Sequence, residues 1–362
     1  MGYYRQQFDP RHRLVASLPL SARSRISHGR RQQDIRGKQG ALPDEAVTKA
    51  KPKRILIAVD GSQHAVHAVR YIAEHWSPSI LKANLLYVLF AAPEVFMDLE
   101  AQVYSRQAFK GKYGQWRREM RGVAQAFLDR ARNILVEANL PGNHVGVILQ
   151  EQEVGIARDI IAEAKRGYDA VVIGRRGLSK MEGGFLLGSV STKIVSGARD
   201  VPVWVVGGKI EASSALLAVD ASENSHKAVH YLGSFAGSTT AEVTLYHVVR
   251  QLSFTRGTNL IPRNEERDQK WLTKVTRDAE SMLRHYSERL ERAGVAPARV
   301  TIKCTTESSS RSEDILREAR AGRYGTIILG RRGLSRVGQF ITGRVTSKVL
   351  SQADGLAVWL VP

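Results

Sequence analysis

Short runs of Val, Ile and Leu, scarcely interrupted by polar residues, alternate along this chain with longer stretches in which apolar residues return every three or four positions. Runs of the first kind lie near 54–59, 83–90, 144–149, 169–173 and 201–206, and again near 215–219, 241–249, 298–304, 325–329 and 356–361. Because they are apolar at successive positions rather than at alternate ones, they predict strands covered on both faces, and hence a parallel sheet built from strand–helix–strand units. The helical periodicity predicts helices at 62–76, about 114–139, 154–166 and 188–198, and a second long helix at about 265–293. Ser62, directly after the first strand, stands where an N-cap belongs.

The pattern occurs twice. Gly-Arg-Arg-Gly-Leu-Ser reads identically at 174–179 and 330–335, an offset of 156. Residues 55–72 pair with 215–232, and the Trp-centred strand 201–206 pairs with 356–361. Three landmarks in one order at nearly one spacing predict a duplicated domain, at 51–208 and 213–362, joined by a short link and preceded by a tail, residues 1–50. The expected fold class is α/β: two tandem Rossmann-like domains, each a five-stranded parallel sheet flanked by helices.

Charge and composition narrow the classes of function. Hydrophobic residues make up 43% of the chain and charged ones 25%, with no apolar run long enough for a membrane-spanning helix; no membrane insertion is expected. The net charge is +19, and residues 1–54 hold 13 Lys and Arg against 4 Asp and Glu. The tail therefore reads as a disordered basic arm, with an acidic partner or nucleic acid as its functional alternative. The lone cysteine, Cys304, excludes an internal disulfide and fits a reducing, cytoplasmic setting; it reads as a small core residue.

The chemistry gathers at two turns. In an open parallel sheet ligands bind beyond the carboxyl ends of the strands, where strand order reverses. There the turn after the first strand, with Asp60, Gly61 and Ser62, is expected to meet the glycine turn after the fourth, with Gly174, Arg175, Arg176 and Gly177. Gly174, Gly177 and Gly188 are expected to provide backbone donors to phosphate, Ser189 and Ser191 hydroxyl donors, and Arg175 or Arg176 charge. Asp60 suits a ribose hydroxyl, an adenine amino group or a divalent cation, and Val59 and Val88 an apolar wall for a base. The competing reading is a set of ordinary turns and caps, for neither a Walker lysine motif nor a G-x-G-x-x-G fingerprint is present. His64 with His67, and His226 with His230, lack a third metal ligand at a recognisable spacing and are expected to be solvated or packed.

The order strand, V-D-[GA]-S, helix, G-x-x-G, a spacer and G-[ST] resembles the universal stress protein family, over about 55–206 and 215–361. The resemblance implies an adenine nucleotide alpha hydrolase-like sheet in each unit and dimer-like pairing of the units. In the nucleotide-binding branch it implies ATP, with Mg2+ accompanying it, and a regulatory stress-response role with little or slow hydrolysis. Carried over by position, it points to Asp60, Val88, Gly174, Arg176, Gly177, Gly188, Ser189 and Val190. In the second unit it points to Asp220, Val248, Gly330, Arg332, Gly333, Gly343 and Val345, and the repeat places Val219 and Thr346 where Val59 and Ser191 stand. Both units depart from the pattern. Ten residues instead of nine separate Gly177 from Gly188. Arg344 replaces the small hydroxyl residue, where it either grips phosphate or fills the pocket, and Ala221 replaces Gly61. A binding module without turnover, a slow ATPase and an interaction protein with degenerate pockets remain open, as does a homodimer of the whole chain.

Overall fold

The first strand sets the logic of the molecule. In β1 (Lys53–Val59), Ile55, Ile57 and Val59 enter one core while Leu56 and Ala58 enter another on the opposite face. A strand buried on both sides needs helices above and below it, and the chain supplies them. This computed structural model describes residues 52–90, 106–177, 187–235, 241–249, 265–306, 310–331 and 343–362, which all belong to one unit, Pro52–Pro362. The basic tail and parts of both glycine turns lie outside the described residues.

After β1 come α1 (Gln63–His75), β2 (Leu81–Leu89), α2 (Arg106–Glu137), β3 (Val145–Glu151), α3 (Ile156–Ala164), β4 (Ala170–Gly174), α4 (Ser189–Gly197) and β5 (Val203–Val206). The second repeat follows with β6 (Ala215–Ala218), α5 (Glu223–Gly233), β7 (Val243–Val249), α6 (Glu265–Arg292), β8 (Val300–Thr306), α7 (Arg311–Ala321), β9 (Thr326–Gly330), α8 (Arg344–Gln352) and β10 (Ala357–Val361). The expected cap is in place, Ser62 accepting from the Ala65 amide at 3.2 Å, and Ser222 caps α5 in the same way, accepting from the Ser225 amide at 3.3 Å. The long helices end alike, on a left-handed residue that stops them, Asn139 at φ 67° and Gly294 at φ 98°. α2 begins at Arg106, well before 114, because Gly111 and Gly114 weaken the helical signal without breaking the helix.

The ten strands form one sheet in the order β3-β2-β1-β4-β5-β10-β9-β6-β7-β8. Within each repeat every pairing is parallel, and the order reverses between β1 and β4 and between β6 and β9. The repeats join through β5 and β10, which pair antiparallel with Trp204 opposite Trp359. The two indoles stack at 3.9 Å between centroids and 1° between planes, and Trp76 and Phe235 close the aromatic box around them. Each indole N–H donates across the seam to a tyrosine of the other repeat, Trp204 to Tyr231 at 3.1 Å and Trp359 to Tyr71 at 3.0 Å. Burying aromatic area with the indole N–H of both stacked tryptophans bonded makes this seam a core rather than a docking contact. The link does not tumble either: Ile210 is buried, Gly207 donates to Leu356 O at 2.9 Å and accepts from the Gly355 amide at 3.3 Å.

Cys304 sits on β8, packed at the edge of the core, where burial and then nearby Glu280 push its thiol up to about 11. That is the chemistry of an inert structural residue.

Candidate functional site

The two reversal points of the sheet lie at the ends of β1/β4 and β6/β9, and in the first repeat the predicted turns meet there. The strand-one turn needs Gly61, whose φ of +86° favours a residue without a Cβ. It curls so that the Ser62 amide donates to Asp60 Oδ1 at 3.0 Å. The other carboxylate oxygen faces the glycine turn: a Cβ added at Gly177 would stand 2.5 Å from Asp60 Oδ2. One added at Gly188 would stand 3.3 Å from the Arg176 Cα and 3.5 Å from the Gly177 amide nitrogen. Asp60, Gly177 and the start of α4 thus come together at one point of the sheet's edge. α4 has no side-chain cap at Gly188, so the amide donors of its first turn are not taken by a capping residue.

Several expected donors have other employment. The Gly188 amide donates to Arg175 O at 2.9 Å, and the buried Ser191 hydroxyl donates to Gly174 O at 2.9 Å. Both hold α4 onto the turn, and neither hydrogen is aimed at a ligand. Gly174 is a glycine because α1 leaves no room: its Cβ would come within 2.9 Å of the His64 backbone. Gly330 has the same reason, facing Asn224 O. Arg175, expected as a source of phosphate charge, is only 2% exposed and turns into the seam between the repeats. Val59, Val88, Val219 and Val248 are packed into the cores, so only their outermost atoms reach the surface. Ser189 is exposed and Val190 half-buried at the helix start.

In the second repeat Asp220 is tied down more tightly. Its Oδ1 accepts from the Ser222 amide at 3.0 Å and the Ser225 hydroxyl at 2.8 Å, while the Ser225 oxygen accepts from the Asp220 amide at 2.9 Å. Burial opposes its ionisation, but these hydrogen bonds outweigh burial and hold the carboxyl below the usual range. Ala221 makes the turn without a left-handed residue; among the described non-glycine residues only Asn139 and Arg323 have positive φ. Arg344 is exposed at the first position of α8, so it does not fill the pocket; Gly343 and Val345 flank it and Thr346 is buried beneath. Arg332 and Gly333 lie outside the described residues.

Two tyrosines escaped sequence reasoning. Tyr87 donates to Asp60 O at 3.3 Å and Tyr286 to Asp220 O at 2.9 Å, each bracing an acidic turn from a neighbouring element. The register Val59↔Tyr87 was the available signal for the first; nothing in the spacing of the long helix marks the second. His64 borders the glycine turn, and burial, then His67, Arg176 and Arg175, lower its pKa. Among the described residues no group of His, Cys, Asp or Glu is arranged to hold a metal, and His226 instead accepts from Arg289 at 3.2 Å. No helix among the described residues is long and apolar enough to cross a membrane.

A family model described as the universal stress protein family matches residues 51–207 and again 213–362. None of the curated proteins matches the chain. Among solved structures, a universal stress protein from Archaeoglobus fulgidus DSM 4304 is similar with a TM-score of 0.57 at 18% identity, over 85% of this chain and 97% of its own. A functionally unknown protein from Pseudomonas aeruginosa PAO1 aligns over 86% of this chain and 92% of its own, with a TM-score of 0.46 and 14% identity. At such identity the first likeness speaks for the fold.

Proposed function

The chain belongs to the universal stress protein family, with two tandem copies of its domain, and from that premise we propose that it is an adenine-nucleotide-binding regulatory module whose first repeat holds ATP with Mg2+. The observation that carries this reading is the convergence of Asp60, Gly177 and the uncapped start of α4 at the reversal point of the sheet. Phosphate there would meet the amides of the first turn of α4 and the dipole end of that helix, while the Ser189 hydroxyl adds a side-chain donor. The Asp60 carboxylate would accept from ribose hydroxyls or hold the cation. Arg176, next to the glycine that faces Asp60, supplies charge in place of Arg175. The triphosphate gives the ligand its charge and its capacity for slow hydrolysis; the protein groups named here would bind and orient it.

The second repeat is the weaker site in this reading, since Asp220 already has its hydrogen-bond partners within its own turn and helix. The test starts with the whole chain purified without added nucleotide, then denatured, with any released ligand identified by chromatography and mass. Adenine nucleotide near one equivalent, and calorimetric binding of ATP with Mg2+ that Gly177→Val removes by displacing the Asp60 carboxylate, is the expected result. No released nucleotide together with no heat of binding would overturn the reading in favour of an interaction protein with degenerate pockets.

A further inference from the structure

The first arginines of the two glycine turns, Arg175 and Arg331, are 2% and 5% exposed. Charged groups so deep need a reason. Arg175 crosses the seam: its Nη1 donates to Asp354 Oδ1 at 3.1 Å and its Nη2 to Ser351 O, both at the C-terminal end of α8. Arg331 makes the return crossing, with Nη1 donating to Ala198 O at 2.7 Å, at the C-terminal end of α4. α4 and α8 are the helices whose starts, at Gly188 and Gly343, border the glycine turns. Each turn is therefore fastened to the far end of the other repeat's helix. The backbone shares the load, for the Arg175 amide donates to Val206 O at 2.9 Å, and the Arg331 amide to Val361 O at 2.5 Å.

The two braces are not equals. Aligned on Trp204 and Trp359, the counterpart of Asp354 is Arg199. Arg175 thus meets a carboxylate, while Arg331 meets the like charge of Arg199, and among the described residues its Nε and Nη2 are buried without a hydrogen-bond partner. Burial and then Arg199 lower Arg331 to about 10, with Asp200 opposing them. An unsatisfied buried guanidinium weakens the element that carries it.

From this crossed bracing we infer that the two glycine turns are coupled, so that phosphate held at one repeat changes the affinity of the other. A ligand that draws α4 toward the first turn moves Ala198, the anchor of Arg331; the reverse path runs from α8 through Ser351 and Asp354 to Arg175. Nine-residue helices transmit such a shift as rigid rods of about 13 Å. Arg175 and Arg331 are positioning residues, remote from the ligand itself; among the described residues the guanidinium of Arg175 makes two bonds across the seam and that of Arg331 one. The coupling of affinities rests on the nucleotide reading; the bracing does not.

Substitutions at two exposed residues test it on the full chain. Backbone amide exchange is followed without ligand, and ATP with Mg2+ is titrated by calorimetry. Asp354→Ala, a change in the second repeat, should speed exchange of the Arg175 and Gly188 amides in the first by about tenfold, as expected for loss of a charged hydrogen bond, and Asp354→Glu should restore it. Arg199→Asp, a change in the first repeat, should slow exchange of the Arg331 amide in the second by a similar factor. Nucleotide affinity should fall about fivefold at the first repeat in Asp354→Ala, a modest coupling. Exchange changes confined to the substituted repeat would overturn the bracing. If exchange crosses the seam but no nucleotide binds, the bracing holds and the nucleotide reading falls. Nucleotide bound with affinities indifferent to both variants leaves that reading intact and removes the coupling.

Discussion

The acidic turns of the two repeats begin with the same Val-Asp dipeptide and end on a capping serine, yet they treat the carboxylate differently. In the first repeat Asp60 accepts from the Ser62 amide and directs its second oxygen at Gly177. In the second, Asp220 accepts from the Ser222 amide and also from Ser225, a residue of its own helix. The difference traces to one position, Ala65 in the first helix against Ser225 in the second. A single hydroxyl ties the Asp220 carboxylate to its own helix, where Asp60 Oδ2 lies against Gly177, so a shared motif does not ensure a shared ligand.

The comparison can be broken or sharpened at several points. The largest effect is expected where the repeats are most alike. Trp204→Ala and Trp359→Ala should each cost about 3–5 kcal/mol in urea unfolding, because each leaves a large void and removes the indole donor to a tyrosine of the other repeat. Unequal costs would show that the stack is less symmetric than its geometry. Next comes the acid itself. Asp60→Asn should weaken ATP binding by about tenfold or more, the effect of one charged hydrogen bond, with little change in unfolding midpoint, whereas Asp220→Asn should leave the tighter binding unchanged and lower stability. Ser225→Ala writes the first repeat's residue into the second; it should cost about 1 kcal/mol and raise the Asp220 pKa, readable by carboxylate NMR.

The smallest effect is one of pH. The folded pKa of Asp220 is depressed, so its contribution to stability is complete above the ordinary carboxylate range and is lost as pH falls through the folded value. The gap in urea midpoint between the natural chain and Asp220→Asn should therefore narrow as pH drops from 6 to about 3. A gap that widened would mean the hydrogen bonds fail to offset burial.

Much of the fold was legible because strands buried on both faces leave a continuous apolar run, and two copies of the run at one spacing leave little freedom. The paired Trp strands hinted at the seam, but not that each indole would bond the other repeat's tyrosine, a contact between residues far apart in sequence. The meeting of the two turns was legible, and the contacts made by some of their residues were not. Gly174 looks like a phosphate glycine, and the structure makes it the floor against which α1 packs. Arg175 looks like a phosphate cation, and pairing of the repeats buries it at the seam. Local pattern reports which residues stand together in a turn; it carries no information on which side of the turn another domain will cover.

A symmetric dimer of identical chains must write every residue twice, so a side chain that faces its own mate's surroundings cannot be given different company on the two sides. In this chain Asp354 stands beside Arg175 while Arg199 stands in the matching place beside Arg331. That arrangement is available only when both halves are carried on one polypeptide. Carrying both halves on one polypeptide thus gives the two turns separate genetic addresses, so that the charge beside one can change while the charge beside the other is kept.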